Sequence, residues 1–152
     1  MKKHWLVSLV VVLLIATFLA ACGAKAGEES AKPSNPGGAG PAVGLTGDAT
    51  KGAEIFKANC VTCHGEEGKV GIANPGSADG TVASLNPIDE TMVSSDMKTF
   101  ATNIDLFIEH GSTPEANEGE TPALSMTAFG DTKVLQPQDI ADVIAYVISL
   151  NK

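Results

Sequence analysis

Residues 60–64 read Cys60-Val61-Thr62-Cys63-His64, and no other feature restricts what this chain can fold into as strongly. Two thiols one helical turn apart are spaced to add to the two vinyl groups of a haem, and the imidazole that follows is then held beneath the iron as proximal ligand. A porphyrin fixed in this way demands a fold that wraps it, with any second ligand delivered from elsewhere in the chain. The same C-x-x-C spacing also serves zinc sites and disulfide oxidoreductases, so the surrounding sequence has to choose.

The compartment is the first criterion. Lys2 and Lys3 precede an apolar run from Trp5 to Ala21 that is broken only by Ser8 and Thr17. This is the basic-then-apolar pattern of an export signal, and it falls short of the roughly 20 residues that span a bilayer as a helix. It ends in Leu19-Ala20-Ala21-Cys22, which resembles the lipobox of bacterial lipoproteins. That resemblance implies a signal peptide over 1–21 and a lipidated Cys22 as the mature N-terminus; the alternative is an uncleaved signal anchor. Either reading tethers the chain to a membrane. With lipid, the expected place is the outer, periplasmic face of the cytoplasmic membrane, or the outer membrane.

Cys22 assigned to lipid leaves Cys60 and Cys63 as a lone pair among three cysteines, too few for a disulfide framework or a four-thiolate zinc site. His64 directly abuts Cys63, which is awkward for zinc, and no alternating strand–helix pattern supports a thioredoxin-like dithiol. Residues 22–47 are rich in Gly, Ala, Pro and Ser and poor in large apolar residues. They read as a flexible linker, whose 25 residues beyond Cys22 would reach about 25–30 Å as a coil.

Residues 48–152 form the single folded domain. Asp48 is placed to cap a helix carrying Ala49, Gly52, Ala53, Ile55 and Phe56 towards Cys60. A second helix is predicted over about Thr99 to Glu109, with Ile104, Phe107 and Ile108 on one face and Gly111 as its stop. The third starts at Gln136-Pro137-Gln138-Asp139, with Ile140, Val143, Ile144, Val147 and Ile148 recurring at helical spacing. Strand patterning is scarce, so an all-α domain of about three to five short helices is expected. Its core is modest and its aromatics few, and a buried porphyrin would supply part of what is missing.

Several motifs, in order, resemble class I cytochromes c over the whole of residues 48–152. Lys51-Gly52-Ala53-Glu54-Ile55-Phe56 is similar to the family's first helix, with Tyr146 as the matching aromatic on the last. Cys60 to His64, followed by Gly65, resembles the attachment site of one covalently bound haem c. Ser125-Met126-Thr127-Ala128-Phe129-Gly130-Asp131 resembles the loop that delivers the axial methionine, with Thr127 where the family usually has Pro. The resemblance implies Met126 as distal iron ligand opposite His64. A thioether there stabilises ferrous iron relative to a second imidazole. Met92 and Met97 are the alternatives, and His110 is a lesser one. It also implies a proline carbonyl as acceptor for the proximal imidazole; Pro75 is the candidate, with Pro87 as the other choice.

Charge bears on partners. The chain carries −8, with 10 Lys and no Arg against 18 Asp plus Glu, and loses two more positive charges if residues 1–21 are removed. This argues against nucleic acid and favours a redox partner with a basic docking patch. The stretch 115–120 is the densest in acid. The expected function is a membrane-anchored single-electron carrier, not an enzyme in itself, exchanging electrons with a quinol-oxidising complex, a terminal oxidase or a reaction centre. Residues 74–77 and 85–89 are somewhat similar to monohaem lipoprotein subunits of alternative complex III, which implies a fixed subunit as the alternative. A haem enzyme or gas sensor with a displaceable sixth ligand ranks lower.

Overall fold

The structure is a computed structural model describing residues 37–114 and 122–152. The export signal, Cys22 and the acidic stretch 115–120 lie outside the described residues. Regular structure among the described residues is helical: α1 (Ala49–Asn59), α2 (Val61–His64), α3 (Met97–His110) and α4 (Pro137–Leu150), with 3-10 turns at Pro41–Gly44 and Glu66–Gly68. Three isolated β-bridges occur, Ala73 with Thr81, Leu85 with Ile88 and Ser112 with Met126. The all-α expectation holds.

Local chemistry sets the helix ends. Asp48 caps α1, its carboxylate accepting from the Thr50 N–H at 2.9 Å and helping to satisfy the first turn. Asp96 does the same for α3, accepting from the Thr99 N–H at 2.8 Å and hydroxyl at 2.7 Å. That cap is why α3 starts at Met97 rather than near Thr99. Gly111, at φ 68°, stops α3 in a conformation that a side chain would strain. Pro137 opens α4, and the Asp139 carboxylate accepts from the Gln136 N–H at 2.9 Å.

The core sits where α1 and α3 pack on α4. Phe56, Phe100, Ile104, Ile108, Ile140, Val143, Ile144 and Val147 are buried there, each contributing roughly 1.5–3 kcal/mol of apolar burial. Gly52 makes the crossing of α1 and α4 possible, since a Cβ on it would run into the Asp142 carbonyl of α4. One turn on, the Phe56 and Tyr146 rings meet at 5.3 Å and 58°, a tilted aromatic pair. Buried Asp142 ties the two helices again, accepting from the Asp48 N–H at 2.8 Å.

The linker expected over 22–47 needs correction at its C-terminal end. Residues 38–46 are held against α3 and α4: the Gly40 N–H donates to Asp105 at 2.6 Å, the Gly38 carbonyl meets His110 Nε2 at 2.9 Å, and Gln138 donates to the Thr46 carbonyl at 3.0 Å. Ala42 is 1 % exposed. The partners stand 65 to 92 residues away, so the composition of the segment carries no trace of them. No helix among the described residues is long and apolar enough to cross a membrane.

Candidate haem site

Helix α1 delivers the attachment motif directly. The Cys60 N–H donates to the Phe56 carbonyl at 2.8 Å, and the chain then continues through the single turn of α2, with the N–H groups of Cys63 and His64 donating to the Cys60 carbonyl at 3.1 and 2.9 Å. Both thiols are free and stand one turn apart. Burial, and then the neighbouring Cys63, push the Cys60 thiol up to about 11. A nucleophilic thiol needs a lowered pKa, so Cys60 is poorly suited to begin disulfide exchange. Among the described residues no three His, Cys, Asp or Glu side chains form a metal-sized cluster.

The loop after His64 folds back to hold the imidazole. Gly65 turns at φ 73°, where a Cβ would run into the Val70 carbonyl. The Leu85 and Asn86 N–H groups and the Ser84 hydroxyl converge on the Gly68 carbonyl at 2.8, 3.1 and 3.1 Å, which brings Ala83 under the ring. His64 Nδ1 lies 2.9 Å from the Ala83 carbonyl. A carbonyl only accepts, so Nδ1 carries the proton and Nε2 keeps its lone pair for a metal. Burial holds the His64 pKa below its ordinary value, against the opposing effect of the Ala83 bond. A neutral imidazole is the ligating form.

The acceptor is thus Ala83, not Pro75 or Pro87. The working atom is a backbone oxygen, which any residue supplies, so no side-chain signal marks the position. Pro75 is exposed, in a loop that diverges from the ring: the Ala73–Thr81 bridge and the 2.8 Å bond from the Asn74 N–H to the Gly80 carbonyl close it as a separate hairpin.

Met126 rides on a loop wired to the end of α3. Met126 and Ser112 exchange both backbone hydrogen bonds, at 2.9 and 3.3 Å; the Phe129 and Gly130 N–H groups share the Ile108 carbonyl, and the Asp131 N–H donates to the Glu109 carbonyl at 3.0 Å. The last carbonyls of α3, which a helix leaves without internal donors, are what hold this loop. Gly111 is required here too, because a Cβ would run into the Met126 carbonyl. The bonds come from residues 126, 129, 130 and 131, so Thr127 in place of Pro removes none of them. Met126 and Cys60 are both half-buried and pack against the same core.

The competing ligands sit differently. Met92 packs against the core and its carbonyl accepts from Asn103 at 2.9 Å. Met97 opens α3, 50 % exposed. His110 is buried, with Nδ1 3.0 Å from the Asp131 carboxylate and Nε2 2.9 Å from the Gly38 carbonyl. Two acceptors require both nitrogens protonated, and these bonds, that to Gly38 first, raise its pKa; an imidazolium has no lone pair for iron.

The donor set therefore fits a haem: two free thiols one helical turn apart, an imidazole whose Nδ1 is occupied, and a thioether on a braced loop. Val70 and Ile72 beside the attachment motif and Leu124 beside Met126 are exposed apolar residues, the kind of surface that a porphyrin covers. Ala83 and Ser112 were not legible in the sequence. Neither was Asn74, whose only signal is a position before proline.

Residues 47–147 match the family described as cytochrome C oxidase, cbb3-type, subunit III. The Cbb3-type cytochrome c oxidase subunit FixP of Sinorhizobium medicae is 33% identical over 101 residues, covering 66% of this chain and 29% of that protein. The subunit of the same name from Azorhizobium caulinodans is 70% identical over 30 residues, 20% of this chain and 10% of that protein. The chain thus spans under a third of the length of these relatives. No solved structure matches it. Taken with the attachment motif and the helical fold, the match over residues 47–147 means that the chain belongs to the cbb3-type cytochrome c oxidase subunit III family, as a class I monohaem cytochrome c carrying covalently bound haem c.

Proposed function

We propose that this protein is a lipid-anchored carrier of single electrons, with Cys60 and Cys63 as the covalent attachment points, His64 and Met126 as the iron ligands, and a terminal oxidase as its electron acceptor. The observation that carries the reading is the pairing of His64 Nδ1 with the Ala83 carbonyl, which leaves the Nε2 lone pair available to a metal. Haem c, when bound, supplies a one-electron iron couple whose ferrous form a thioether ligand favours. The chain's residues do the remaining work. Cys60 and Cys63 would each hold the group by adding the S–H across a vinyl, which needs no oxidant; Ala83 orients the imidazole; the end of α3 presents Met126.

The family match favours an oxidase as the assembly served, over alternative complex III. The relatives are named as oxidase subunits, and this chain matches their haem-bearing part; lipid on Cys22 would hold it at the membrane. Residues 38–46 are packed on the domain, so the folded part begins closer to Cys22 than residue 48. The net charge of −8 suits a basic docking face on that complex.

Absorption spectroscopy of the ferric protein tests the ligand assignment. The wild type should show a sulfur-to-iron charge-transfer band, absent in Met126→Ala, and should bind cyanide slowly. Fast cyanide or carbon monoxide binding with no such band in the wild type refutes the carrier and moves the protein to the haem enzymes and gas sensors. Copurification with an oxidase from native membranes in mild detergent tests the partner.

A further inference from the structure

Asn74 lies in the hairpin that follows the attachment motif and is 2 % exposed. Its main chain is held on both sides. Its N–H donates to the Gly80 carbonyl at 2.8 Å, and its carbonyl accepts from the Ser77 N–H at 2.9 Å and the Ser77 hydroxyl at 2.8 Å. Pro75 behind it restricts its backbone to extended conformations. The side-chain amide then crosses to the other loop, 50 residues along the chain: Nδ2 donates to the Leu124 carbonyl at 3.1 Å and Oδ1 accepts from the Leu124 N–H at 2.8 Å. Leu124 stands two residues before Met126.

We propose that Asn74 is a positioning residue for Met126, bracing the methionine loop against the loop that carries the attachment cysteines. The inference rests on the reading of Met126 as the sixth ligand. The other backbone bonds described for the Met126 loop come from the end of α3. Asn74 belongs to the opposite side, because the Ile72 N–H donates to the Cys63 carbonyl at 3.0 Å. A hydrogen-bonded path therefore runs from Cys63 through Ile72 and Asn74 to Leu124 and Met126, and it sets the separation of the two sides of the site independently of α3.

The chemistry selects an amide. Leu124 presents a donor and an acceptor, and a primary amide answers both from one planar group; a carboxylate of the same shape lacks the donor. Leu124 is 51 % exposed and is not among the buried core residues, so removing the amide takes away the brace and leaves the core contacts in place.

The test uses the haem-loaded full chain as wild type, Asn74→Ala, Asn74→Asp and, as a control that loses hydrogen bonds outside both loops, Gln138→Ala. Losing two hydrogen bonds of ordinary strength shifts the loop's opening equilibrium by about tenfold or more. Asn74→Ala should therefore raise the affinity for added imidazole and the exchange rate of the Leu124 amide by that factor, with a weaker sulfur-to-iron band and a lower reduction potential. Asn74→Asp sets an oxygen against the Leu124 carbonyl and should change the same readouts at least as much; it decides the matter if Asn74→Ala does not fold. Gln138→Ala should keep the wild-type band and imidazole affinity. The proposal is overturned if Asn74→Ala and Asn74→Asp leave the band and imidazole affinity unchanged, whether or not Leu124 exchange quickens. A wild-type protein without the band overturns it differently, by removing Met126 as ligand while Leu124 exchange still reports the Asn74 bonds.

Discussion

Replacing Gly52 with alanine sets two physical effects in opposition, and the structure says which wins. Intrinsic helix propensity favours alanine over glycine inside a helix such as α1 by about 1 kcal/mol, so local reasoning predicts stabilisation. The new methyl group would run into the Asp142 carbonyl and lie 2.9 Å from Tyr146 Cβ. Neither obstacle is the free end of a flexible side chain, so α1 and α4 must separate. Forcing extra volume into a packed contact costs about 1–3 kcal/mol. Separation also loosens the Phe56–Tyr146 pair at 5.3 Å, worth about 0.5–1.5 kcal/mol beyond its buried area. The sum is a net destabilisation of about 0.5–3.5 kcal/mol, or a fall in Tm of roughly 2–28 °C for a domain of this size. Urea and thermal melts of the haem-loaded protein measure it, with Ala58→Gly on the exposed side of α1 as calibration. That variant should lose about 0.5–1 kcal/mol through propensity alone. Both substitutions should thus destabilise, although propensity gives them opposite signs. A Gly52→Ala protein as stable as the wild type, or more so, refutes the close-crossing argument.

Other consequences involve charge, burial and the anchor. Burial, with the Gly40 N–H opposing, pushes the Asp105 carboxyl up; burial and then Asp105 do the same to Glu109; the bonds to Gly38 and Asp131 raise His110. In all three cases the folded state holds its proton more tightly than the unfolded chain. Their stabilisation is complete below the unfolded pKa values and is lost as pH rises through the higher folded ones, first for the carboxyls and above 6.5 for His110. Asp105→Asn keeps an acceptor for the Gly40 N–H and removes the buried charge, so Tm should rise at about pH 8 far more than at about pH 4; an unchanged pH slope would contradict this. Asp142→Ala leaves the Asp48 N–H without the acceptor now 2.8 Å away and should cost about 1–3 kcal/mol in a urea melt, an effect within error arguing that water replaces the carboxylate. Cys22→Ser should release the protein from the membrane fraction without altering its haem spectrum, and retention of the variant would show that something other than lipid on Cys22 holds it.

The two ends of the haem crevice are built on different principles. On the cysteine side, a helix runs straight into the attachment motif, and a glycine turn brings a backbone oxygen to the imidazole 19 residues on. On the methionine side, the unsatisfied carbonyls at the end of α3 hold a loop by its N–H groups. The first design makes His64 part of a continuous local structure. The second leaves the placement of Met126 to tertiary contacts, among them the bonds from Asn74 to Leu124 two residues before it.

What the sequence by itself determined was everything governed by short-range pattern. Cys60, Cys63 and His64 declare themselves by spacing. Asp48, Gly111 and Pro137 mark helix ends because capping and φ restrictions act within a few residues, and the Ile140–Ile148 periodicity marks the face of α4 that enters the core. Only the tertiary structure could decide which carbonyl meets His64, since a backbone oxygen has no residue identity and Ala83 is placed there by bonds to Gly68. It alone decided that residues 38–46 belong to the domain, because their partners Asp105, His110 and Gln138 are remote in sequence. It also decided that Asn74 reaches Leu124. An amide offers no pattern of its own, and its function exists only once folding has brought the cysteine and methionine loops to within one side chain of each other.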